Sequence, residues 1–351
     1  MADQLPQNIR DALQKRALEA LDHWPVQAHE PVLMKYRENA VFRITLEDGQ
    51  FAALRLHRPG YHDETSLRSE LHFMAALKLG GLDVPSPVPT TSRQSLVRLG
   101  ANRHFPEQHA DVVSWIDGVP LGQSGTPLSQ STEMQEAIFF RIGQNMAAMH
   151  ALADAWEPPE RFRRPAWDVD GLVGEKPLWG RFWDCRGLSP ESIIALSALR
   201  HELRRALAYA DSESLDYGLI HADLVRENIF LTGTDGNVAF IDFDDAGHGF
   251  RLFDLATTLL KNRNEPAYPA IERALISGYR SRRALSDAAL ASLPLFMVLR
   301  SLTYIGWLAE RPEIPDSAER LSRYVNESLE MARKLTLPLD IFNIIVNVLS
   351  K

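Results

Sequence analysis

The sequence of 351 residues contains one cysteine, Cys185. A single cysteine excludes an internal disulfide framework and is typical of a reducing compartment, so we expect a cytoplasmic location. Basic residues are also in the minority, because the formal net charge is −8. This balance argues against general nucleic-acid binding, which needs a basic surface. Two short basic clusters, 161–164 and 280–283, are expected to be ordinary solvated faces.

Long apolar runs are missing as well. No run of apolar residues approaches the roughly 18 that a membrane span requires, so no membrane association is expected. Residues 1–24 mix charged and apolar side chains without an apolar core, which predicts no signal peptide. The composition is 45% hydrophobic and 24% charged, typical of a soluble globular protein. The length is sufficient for two lobes with a large core.

The first third of the chain has the pattern of a small α+β unit. Apolar residues at helical spacing predict a helix over 8–23 and a second one over 66–81. Residues 40–57 predict a β-hairpin, because two β-rich runs flank a Glu-Asp-Gly turn. Residues 110–120 predict a strand that ends at a Gly-Val-Pro break.

After residue 120 the pattern becomes mainly helical. Long helices are predicted over 136–154 and 194–210, separated by an irregular segment, 155–190, rich in Trp, Arg, Pro and Gly. A second hairpin is predicted across the turn "TGTDGN", 232–237. From about residue 252 to the end the pattern is helical.

Two polar motifs flank this second hairpin. "HADLVREN" places Asp223 and Asn228 five residues apart, and "IDFDD" places Asp242 at the end of the partner strand. Because a hairpin brings these ends together, the three side chains are predicted to converge. A carboxylate and an amide oxygen suit Mg²⁺, and a second carboxylate can receive a proton from a hydroxyl. These are the parts of a phosphoryl-transfer site.

The same residues allow two other interpretations. Asp and Asn are common turn residues, and the cluster could be only structural. A rival metal site would use His221, Asp223, Asp242 and His248 as ligands of a hydrolytic transition metal.

The motifs "HADLVREN…FIDFDDAG…FDLA" resemble the signature of aminoglycoside phosphotransferases, choline kinases and type II homoserine kinases. "RENAVFRI", "FAALRLHRPG", "SELHFMAAL", "SWIDGVP" and "IGQNMAAMHAL" occur in the same order as in that superfamily, so the resemblance covers most of the chain. It implies an α+β, bilobal, protein-kinase-like fold. The N-terminal nucleotide-binding lobe would span 1–116, with an antiparallel sheet plus a helix. The larger, mainly helical C-terminal lobe for catalysis and acceptor binding would span 117–351.

The resemblance also implies roles for the motif residues. Asp223 would be the catalytic base, and Asn228 and Asp242 would hold Mg²⁺. His221 would be a packing and hydrogen-bonding residue of the catalytic loop. Asp254 would brace that loop, with a helix N-cap as the alternative.

Two further carboxylates, Asp244 and Asp245, are placed beside the metal by the resemblance. A direct metal role for either of them is left open.

In the small lobe, Arg55 occupies the position of the family's phosphate-binding lysine, and Glu70 lies where the helix glutamate pairs with it. Arginine can bind two phosphate oxygens at once, so an Arg55–Glu70 ion pair facing the cleft with Asp242 is predicted. The alternative is a solvated arginine on an exposed strand face.

The resemblance places the other nucleotide contacts by position. "KYRENAVFRI" occupies the place of the phosphate-covering loop but has no glycine, so backbone amides around Glu38 and Asn39 are the predicted contacts. A plain β-turn is the alternative for this loop. The hinge residues Ser114, Trp115 and Ile116 would bind the adenine of ATP.

The acceptor-selecting segment is predicted at 164–184, which combines tryptophans with carboxylates: Trp167, Trp179, Trp183, Asp168, Asp170 and Asp184. Aromatic rings and carboxylates suit a cationic amine. The alternative is that the tryptophans are core and the aspartates are helix caps. Residues 302–310 are a second candidate wall or, alternatively, core.

The sequence therefore predicts an ATP- and Mg²⁺-dependent kinase of a small-molecule hydroxyl. The acceptor would be an amino alcohol, a hydroxy amino acid such as homoserine, or an aminoglycoside. A Ser/Thr protein kinase of the bacterial stress-response type and a non-catalytic pseudokinase are the alternatives. The amphipathic segment 339–350 either docks on its own lobe or on a second copy, which would make a homodimer.

Overall fold

The computed structural model describes residues 5–37, 39–209, 215–233, 236–312, 314–336 and 338–349. Two features of the sequence analysis lie outside these ranges. They are Glu38 of the phosphate-covering loop and the central residues of the second hairpin turn, Thr234 and Asp235.

The N-terminal lobe is a five-stranded antiparallel sheet with one long helix on each face. Its strands are arranged in the order β1-β2-β3-β5-β4. The elements are α1 (Gln7–Leu21), β1 (Val32–Tyr36), β2 (Ala40–Thr45), β3 (Phe51–Leu56), α2 (Glu64–Leu79), β4 (Val97–Leu99) and β5 (Gln108–Ser114). The predicted hairpin over 40–57 is present as β2 and β3. Strand β1 was not predicted.

Alternation along the strands explains why the two helices take opposite faces. Leu54 and Leu56 of β3 point to the face covered by α1, where they form a small core with Leu13. The apolar face of α2, which includes Leu71 and Met74, belongs instead to the large core shared with the C-terminal lobe. Helix α2 therefore lies between the sheet and the larger lobe.

The C-terminal lobe carries two three-stranded sheets among its helices. Its elements are β6 (Val119–Pro120), α3 (Thr132–Ala155), β7 (Ala166–Trp167), α4 (Val169–Val173), α5 (Pro190–Tyr209), β8 (Tyr217–Ile220), a 3₁₀ turn (Arg226–Asn228), β9 (Ile229–Thr232), β10 (Asn237–Phe240), β11 (Gly247–Phe250), α6 (Arg251–Leu260), α7 (Tyr268–Arg280), α8 (Asp287–Leu290), α9 (Leu293–Ala309), α10 (Ser317–Ala332) and α11 (Leu339–Leu349). The long helices match the predictions, whereas the segment predicted to be irregular contains β7 and α4.

The two sheets of this lobe position the polar motifs. Strands β9 and β10 form the predicted antiparallel hairpin, and β6 pairs with β9 on its other side. Strand β11 lies between β7 and β8. The chain leaves the small sheet at Ser114 and enters the second sheet at Val119, so the lobes are joined by a four-residue link. The predicted bilobal α+β fold is confirmed.

One stretch of the described chain, Asp287–Ala309, is long and apolar enough to cross a membrane by length and composition. No such stretch was expected from the sequence. The apolar part of Asp287–Ala309 is 56% buried inside the protein. Helix α9 packs against α6 and α10 around the buried charge of Arg300. These contacts are those of a core helix.

The amphipathic helix α11 docks on its own lobe. It packs against α5 and α10, and its residues Ile341 and Ile345 are buried there. Its apolar face is therefore already covered within one chain. A homodimer stays a prediction.

Candidate active site

The catalytic loop leaves strand β8 and is held by a buried carboxylate. Asp254 accepts hydrogen bonds from the backbone N–H groups of His221 (2.9 Å) and Ala222 (2.7 Å). Ala222 has a φ of 66°, a left-handed conformation that a residue with a side chain rarely adopts. Strain of this kind persists only where surrounding contacts over-determine it. Asp254 is thus the loop brace that the resemblance implied, not a helix N-cap.

The position of Asp254 is in turn fixed by two buried side chains. His150 donates to its Oδ2 from Nε2 at 3.0 Å, and His150 Nδ1 is hydrogen-bonded to the hydroxyl of Tyr279 at 2.9 Å. All three side chains are buried. Burial alone would raise the pKa of Asp254, but the hydrogen bond from His150 and the loop amides lower it below its ordinary value. The brace is therefore a carboxylate with an ordered set of donors.

The carboxylate of Asp223 is oriented from both sides. Asn228 donates from Nδ2 to Asp223 Oδ2 and to its backbone oxygen, both at 2.9 Å. Arg300 of α9 donates from Nη2 to Asp223 Oδ1 at 2.5 Å. The Asp223 side chain remains 22% exposed, whereas that of Arg300 is fully buried. One carboxylate is thus aimed outward and fixed by two donors.

The third motif residue, Asp242, lies just after the end of strand β10, which pairs with β9. The N–H of Ile241 donates to the backbone oxygen of Asn228 at 3.0 Å, which ties the two motifs together. Asp242 has a φ of 67°, a second strained position in the same site. Its Oδ2 accepts from the ammonium of Lys35 at 2.9 Å. Burial would raise the pKa of Asp242, but the charge of Lys35 lowers it.

These residues fit a magnesium ion. The nitrogen of the Asn228 amide is engaged by Asp223, which leaves its oxygen for a cation. Asp242 contributes a carboxylate that a cation, Lys35, can already reach. Two oxygen donors plus water and phosphate oxygens suit Mg²⁺.

The rival metal site is not formed. Within the described residues no group of three or more His, Cys, Asp and Glu side chains can hold a metal ion. His221 is buried, with Nε2 at 3.0 Å from the backbone oxygen of Ile241 and its ring against Phe243. His248 lies against Phe162. His221 is a packing and hydrogen-bonding residue of the loop, as the resemblance implied.

In the small lobe the Arg55–Glu70 ion pair is present, with Nη1 and Oε1 2.6 Å apart. The prediction of this pair is confirmed, and the solvated alternative is wrong because Arg55 is buried. Arg55 also binds both oxygens of Asp111 on β5, at 2.7 and 2.8 Å. His57 lies 2.7 Å from the same carboxylate. One arginine thus balances two buried carboxylates and also lowers the pKa of Asp242.

In the loop that would cover the phosphates, the side chain of Asn39 contacts the carboxylate of Asp244. Asn39 donates from Nδ2 to Asp244 Oδ1 at 3.5 Å and accepts from the N–H of Arg58. His62 Nε2 lies 3.6 Å from Asp244 Oδ1. Burial, with the nearby charges of Glu70 and Asp242, raises the pKa of Asp244 to about 7. Asp244 therefore lies between the lobes.

In two of the three predicted hinge residues, the backbone N–H already donates a hydrogen bond to a backbone oxygen of the protein. The N–H of Ser114 donates to Ser86 at 2.8 Å, and that of Trp115 donates to Phe51 at 3.3 Å. No backbone hydrogen bond is recorded for the amide of Ile116 in the described part of the chain. Of the three, Ile116 has the amide best placed to donate to a base.

The expectation that cluster 161–164 is a solvated face is wrong for Arg164. Its guanidinium donates to the backbone oxygens of Ser66 (3.1 Å), Phe243 (3.1 Å) and Ala246 (2.5 Å), and also to that of Asp244. It lies 3.7 Å from Glu70 Oε2. Arg164 therefore ties α2 to the loop that carries the acidic motif.

The tryptophan segment divides between core and site. Trp167 and Trp183 are buried, and Trp183 stacks under Arg200 at 3.8 Å. Trp179 is half-buried, and its Nε1 donates to Asp245 Oδ1 at 3.1 Å. The indole of Trp179 also lies 4.4 Å from the Arg300 guanidinium.

The carboxylates of that segment do not accompany the tryptophans. Asp168 caps α4, Asp170 pairs with Arg204, and Asp184 pairs with Arg181. The expectation of a cation site made by these three aspartates is therefore wrong. The carboxylate that meets the indoles comes from Asp245.

Residues 302–310 contribute both core and wall. Leu302, Ile305 and Leu308 are buried in the large core. Tyr304 and Trp307 are half-buried and face Trp179, with ring centroids 5.8 and 6.4 Å apart.

Four site residues were missed by sequence reasoning: Lys35, Asp111, Lys261 and Arg300. Asp111 was detectable in principle, because it lies directly opposite Arg55 in the β3–β5 register. Arg300 is one charge within an otherwise apolar helix, a signal of a buried functional charge. Lys261, whose ammonium lies 3.6 Å from the centroid of the Tyr304 ring, comes within electrostatic range of Asp223 only through the tertiary fold. The same is true of the contact between Lys35 and Asp242.

The chain is similar in sequence and in fold to known proteins. A model of the "phosphotransferase enzyme family" matches residues 35–285. The structure of a microcompartment-associated aminopropanol kinase superposes with a TM-score of 0.77 at 28% identity, over 91% of this chain and 96% of that one. A homoserine kinase of Agrobacterium fabrum is 29% identical over 64% of this chain and 63% of its own.

A second solved structure has the same fold. It is the amicoumacin kinase hAmiN in complex with AMP-PNP, Ca²⁺ and Ami, with a TM-score of 0.75 at 20% identity, over 97% of this chain and the whole of that one. The family match spans most of the chain, so the protein belongs to the phosphotransferase enzyme family. The predicted class, a kinase with a small-molecule hydroxyl as acceptor, is confirmed.

Proposed function

We propose that the protein transfers the γ-phosphoryl group of ATP to a hydroxyl of a small, amine-bearing metabolite, with Asp223 as the catalytic residue and Mg²⁺ as cofactor. The supporting observation is the outward-facing carboxylate of Asp223, fixed by Asn228 and Arg300 on a loop that Asp254 braces. The names of similar kinases give the acceptor candidates, an amino alcohol or a hydroxy amino acid.

Asp223 orients the acceptor hydroxyl and receives its proton. The loop is strained at Ala222 and braced by Asp254. Asn228 and Arg300 hold the carboxylate of Asp223 in place before the substrate arrives. Asn228 and Asp242 would hold the magnesium ion, which when bound neutralises charge on the phosphate oxygens. In this arrangement Asp223 does not coordinate the metal, and its carboxylate can contact the acceptor hydroxyl.

The nucleotide would be held by cations from two strands. Lys35 on β1 is 43% exposed and reaches the acidic motif, so we assign it to the phosphates. Arg55 is balanced by Glu70 and Asp111 and keeps its fork fixed at the back of the cleft. The amide of Ile116 is assigned to the adenine, and Asn39 to the loop above the phosphates.

The direct test is turnover by Asp223→Asn. We expect the rate of phosphoryl transfer to fall by roughly 10² or more, because a positioned base contributes on that scale. Nucleotide affinity should change little. The measurement is ATP consumption across a library of hydroxylated amines, with Asp216→Asn as control, since Asp216 is a partly exposed carboxylate paired with Arg283.

Near-normal turnover by Asp223→Asn would refute its catalytic role. ATP consumption that requires a protein acceptor, and none of the small molecules, would instead favour the protein-kinase alternative. Nucleotide binding without any acceptor-dependent turnover would favour the pseudokinase alternative.

A further inference from the structure

A cavity of about 380 Å³ opens at the junction of the two lobes, next to the acidic motif. Its lining includes Tyr61, His62, Arg163, Trp167, Trp179 and Asp245. From the sequence, an amine site was expected on 164–184, with 302–310 as a second candidate wall. The cavity instead combines two tryptophans of that segment with a carboxylate of the acidic motif and with residues that precede α2.

The carboxyl group of Asp245 is held at this cavity by the indoles. Trp179 donates to its Oδ1 at 3.1 Å, and Trp167 donates to its backbone oxygen at 2.9 Å. The two indoles contact each other edge to face, with centroids 5.5 Å apart. The hydrogen bonds from the two indoles therefore hold Asp245 in place at the cavity.

The positive groups around the cavity are already engaged elsewhere. Arg164 is saturated by backbone oxygens, and Arg163 projects outward, 3.6 Å from Asp63. His62 is uncharged near neutral pH, because burial and the charge of Arg164 lower its pKa to about 4. Asp245 is therefore an acidic group without a matching cation.

Three carboxyl groups, those of Asp223, Asp244 and Asp245, lie close enough at this point of the molecule to influence one another. Burial and the charges of Asp223 and Asp244 disfavour the ionised form of Asp245 and raise its pKa above the ordinary value. A bound cation would stabilise the ionised form, and an aromatic wall favours an organic ammonium over a hydrated metal ion. The same indole of Trp179 lies against Arg300, which donates to Asp223. The cavity wall and the catalytic carboxylate are thus linked by direct contacts.

We propose that this cavity is the ammonium subsite of the acceptor, with Asp245 as the counter-ion and Trp179 as the aromatic wall. The inference rests on the proposed function and adds the recognition group: the hydroxyl lies at Asp223 and the ammonium at Asp245. The ligand class is a hydroxylated primary amine.

The test compares acceptors that share one hydroxyl and differ at the other end. The set is 3-aminopropan-1-ol, 1,3-propanediol and 3-hydroxypropionate, with homoserine and kanamycin as larger amines. The wild type should prefer the amino alcohol to the diol by about tenfold or more in kcat/KM, the scale of one charge-assisted contact. Asp245→Asn should abolish most of this preference, measured as the ratio of the two kcat/KM values within each protein.

Asp245→Asn is a conservative change, because the amide oxygen can still accept from Trp179. Asp170→Asn is the matched control, since Asp170 lies in the same region but is 78% exposed and pairs with Arg204. It should leave the preference unchanged. A preference for the hydroxy acid, or an amine preference that survives in Asp245→Asn, would overturn the subsite and point instead to Lys261 and Arg300.

Binding separates this proposal from the proposed function. The same compounds are titrated into the protein with AMP-PNP and Mg²⁺, and the thermal midpoint is recorded. Amine-dependent stabilisation lost in Asp245→Asn would support the subsite even if no compound is phosphorylated, in which case the proposed function fails alone. Equal stabilisation of wild type and variant, or none by any amine, would overturn the subsite.

Discussion

At the scale of single residues, charge balance distinguishes the two cations of the nucleotide cleft. Arg55 is buried between Glu70 and Asp111, and it is the cation that contacts both of these buried carboxylates directly. Lys35 is partly exposed and has one partner, Asp242. The charge of Asp242 raises the pKa of Lys35 despite burial, so this group stays protonated. Arg55 therefore has a structural and an electrostatic role, whereas Lys35 is free to follow the phosphates.

This difference predicts different defects in two variants. Arg55→Ala should lose about 3–5 kcal/mol of folding free energy, because two buried carboxylates lose their main cationic partner and keep only His57 and the more distant Arg164. Its kcat/KM for ATP should also fall more than about tenfold. Arg55→Lys should recover only part of both, since one ammonium cannot replace a fork that contacts Asp111 twice and Glu70 once.

Lys35→Ala should instead lower kcat/KM for ATP by about tenfold with an unchanged unfolding midpoint, because partly exposed ion pairs contribute little to stability. Chemical denaturation and ATP-dependent kinetics measure the two quantities. Lys78→Ala is the control, since Lys78 forms a similar pair with Asp83 on the surface. A destabilised Lys35→Ala with normal kinetics would contradict the division of roles.

At the scale of elements, helix α2 and the acidic loop are held together by one arginine. Arg164 spans the two, because its guanidinium donates to the backbone oxygen of Ser66 on α2 and to those of Phe243 and Ala246. The position of α2 decides where Glu70 lies, and Glu70 aims Arg55. Arg164 therefore couples the small-lobe helix to the acidic motif.

Arg164→Ala should be destabilising by roughly 3 kcal/mol or more, because several buried carbonyls lose their donor. Below its unfolding temperature, Arg164→Ala should have a lower kcat than the wild type. Its KM for the acceptor should change by a smaller factor than its kcat. Arg161→Ala is the neighbouring control, because that side chain is exposed and lies outside the lining of the cavity. Urea unfolding and steady-state kinetics test both. Equal behaviour of the two variants would show that Arg164 does not couple the elements.

At the scale of the whole molecule, one large core joins most of the elements. It includes residues of α2, α3, α6 and α9, and it reaches α11 through Ile341 and Ile345. The last helix therefore completes the core although it lies far from Asp223 in the sequence.

Ile345→Ala should cost about 2–5 kcal/mol of folding free energy, the range for a buried aliphatic truncation. Asn343→Ala, on the exposed face of the same helix, should be close to neutral. Both variants should keep the wild-type KM for ATP. Calorimetric melting gives the comparison, and an unchanged midpoint for Ile345→Ala would place α11 outside the cooperative unit.

The sequence by itself was sufficient for the local features. The hairpin of β9 and β10, and with it the approach of Asn228 to Asp223, follows from residues close together in the chain. The Arg55–Glu70 pair was predicted from the positions that the family resemblance gives to the two residues, which lie 15 residues apart on β3 and α2. Such contacts are set by strand alternation, helix spacing and turn chemistry, which a sequence displays directly.

Only the tertiary structure decided the partners that complete the site. Lys35 is 207 residues from Asp242, and Arg300 is 77 residues from Asp223. Arg164 looks like part of a surface cluster in the sequence, yet it is buried between two lobes. No local pattern encodes such contacts, because they depend on how the lobes and helices pack against each other. For the same reason Asp245, and not an aspartate beside the tryptophans in sequence, meets their indole rings.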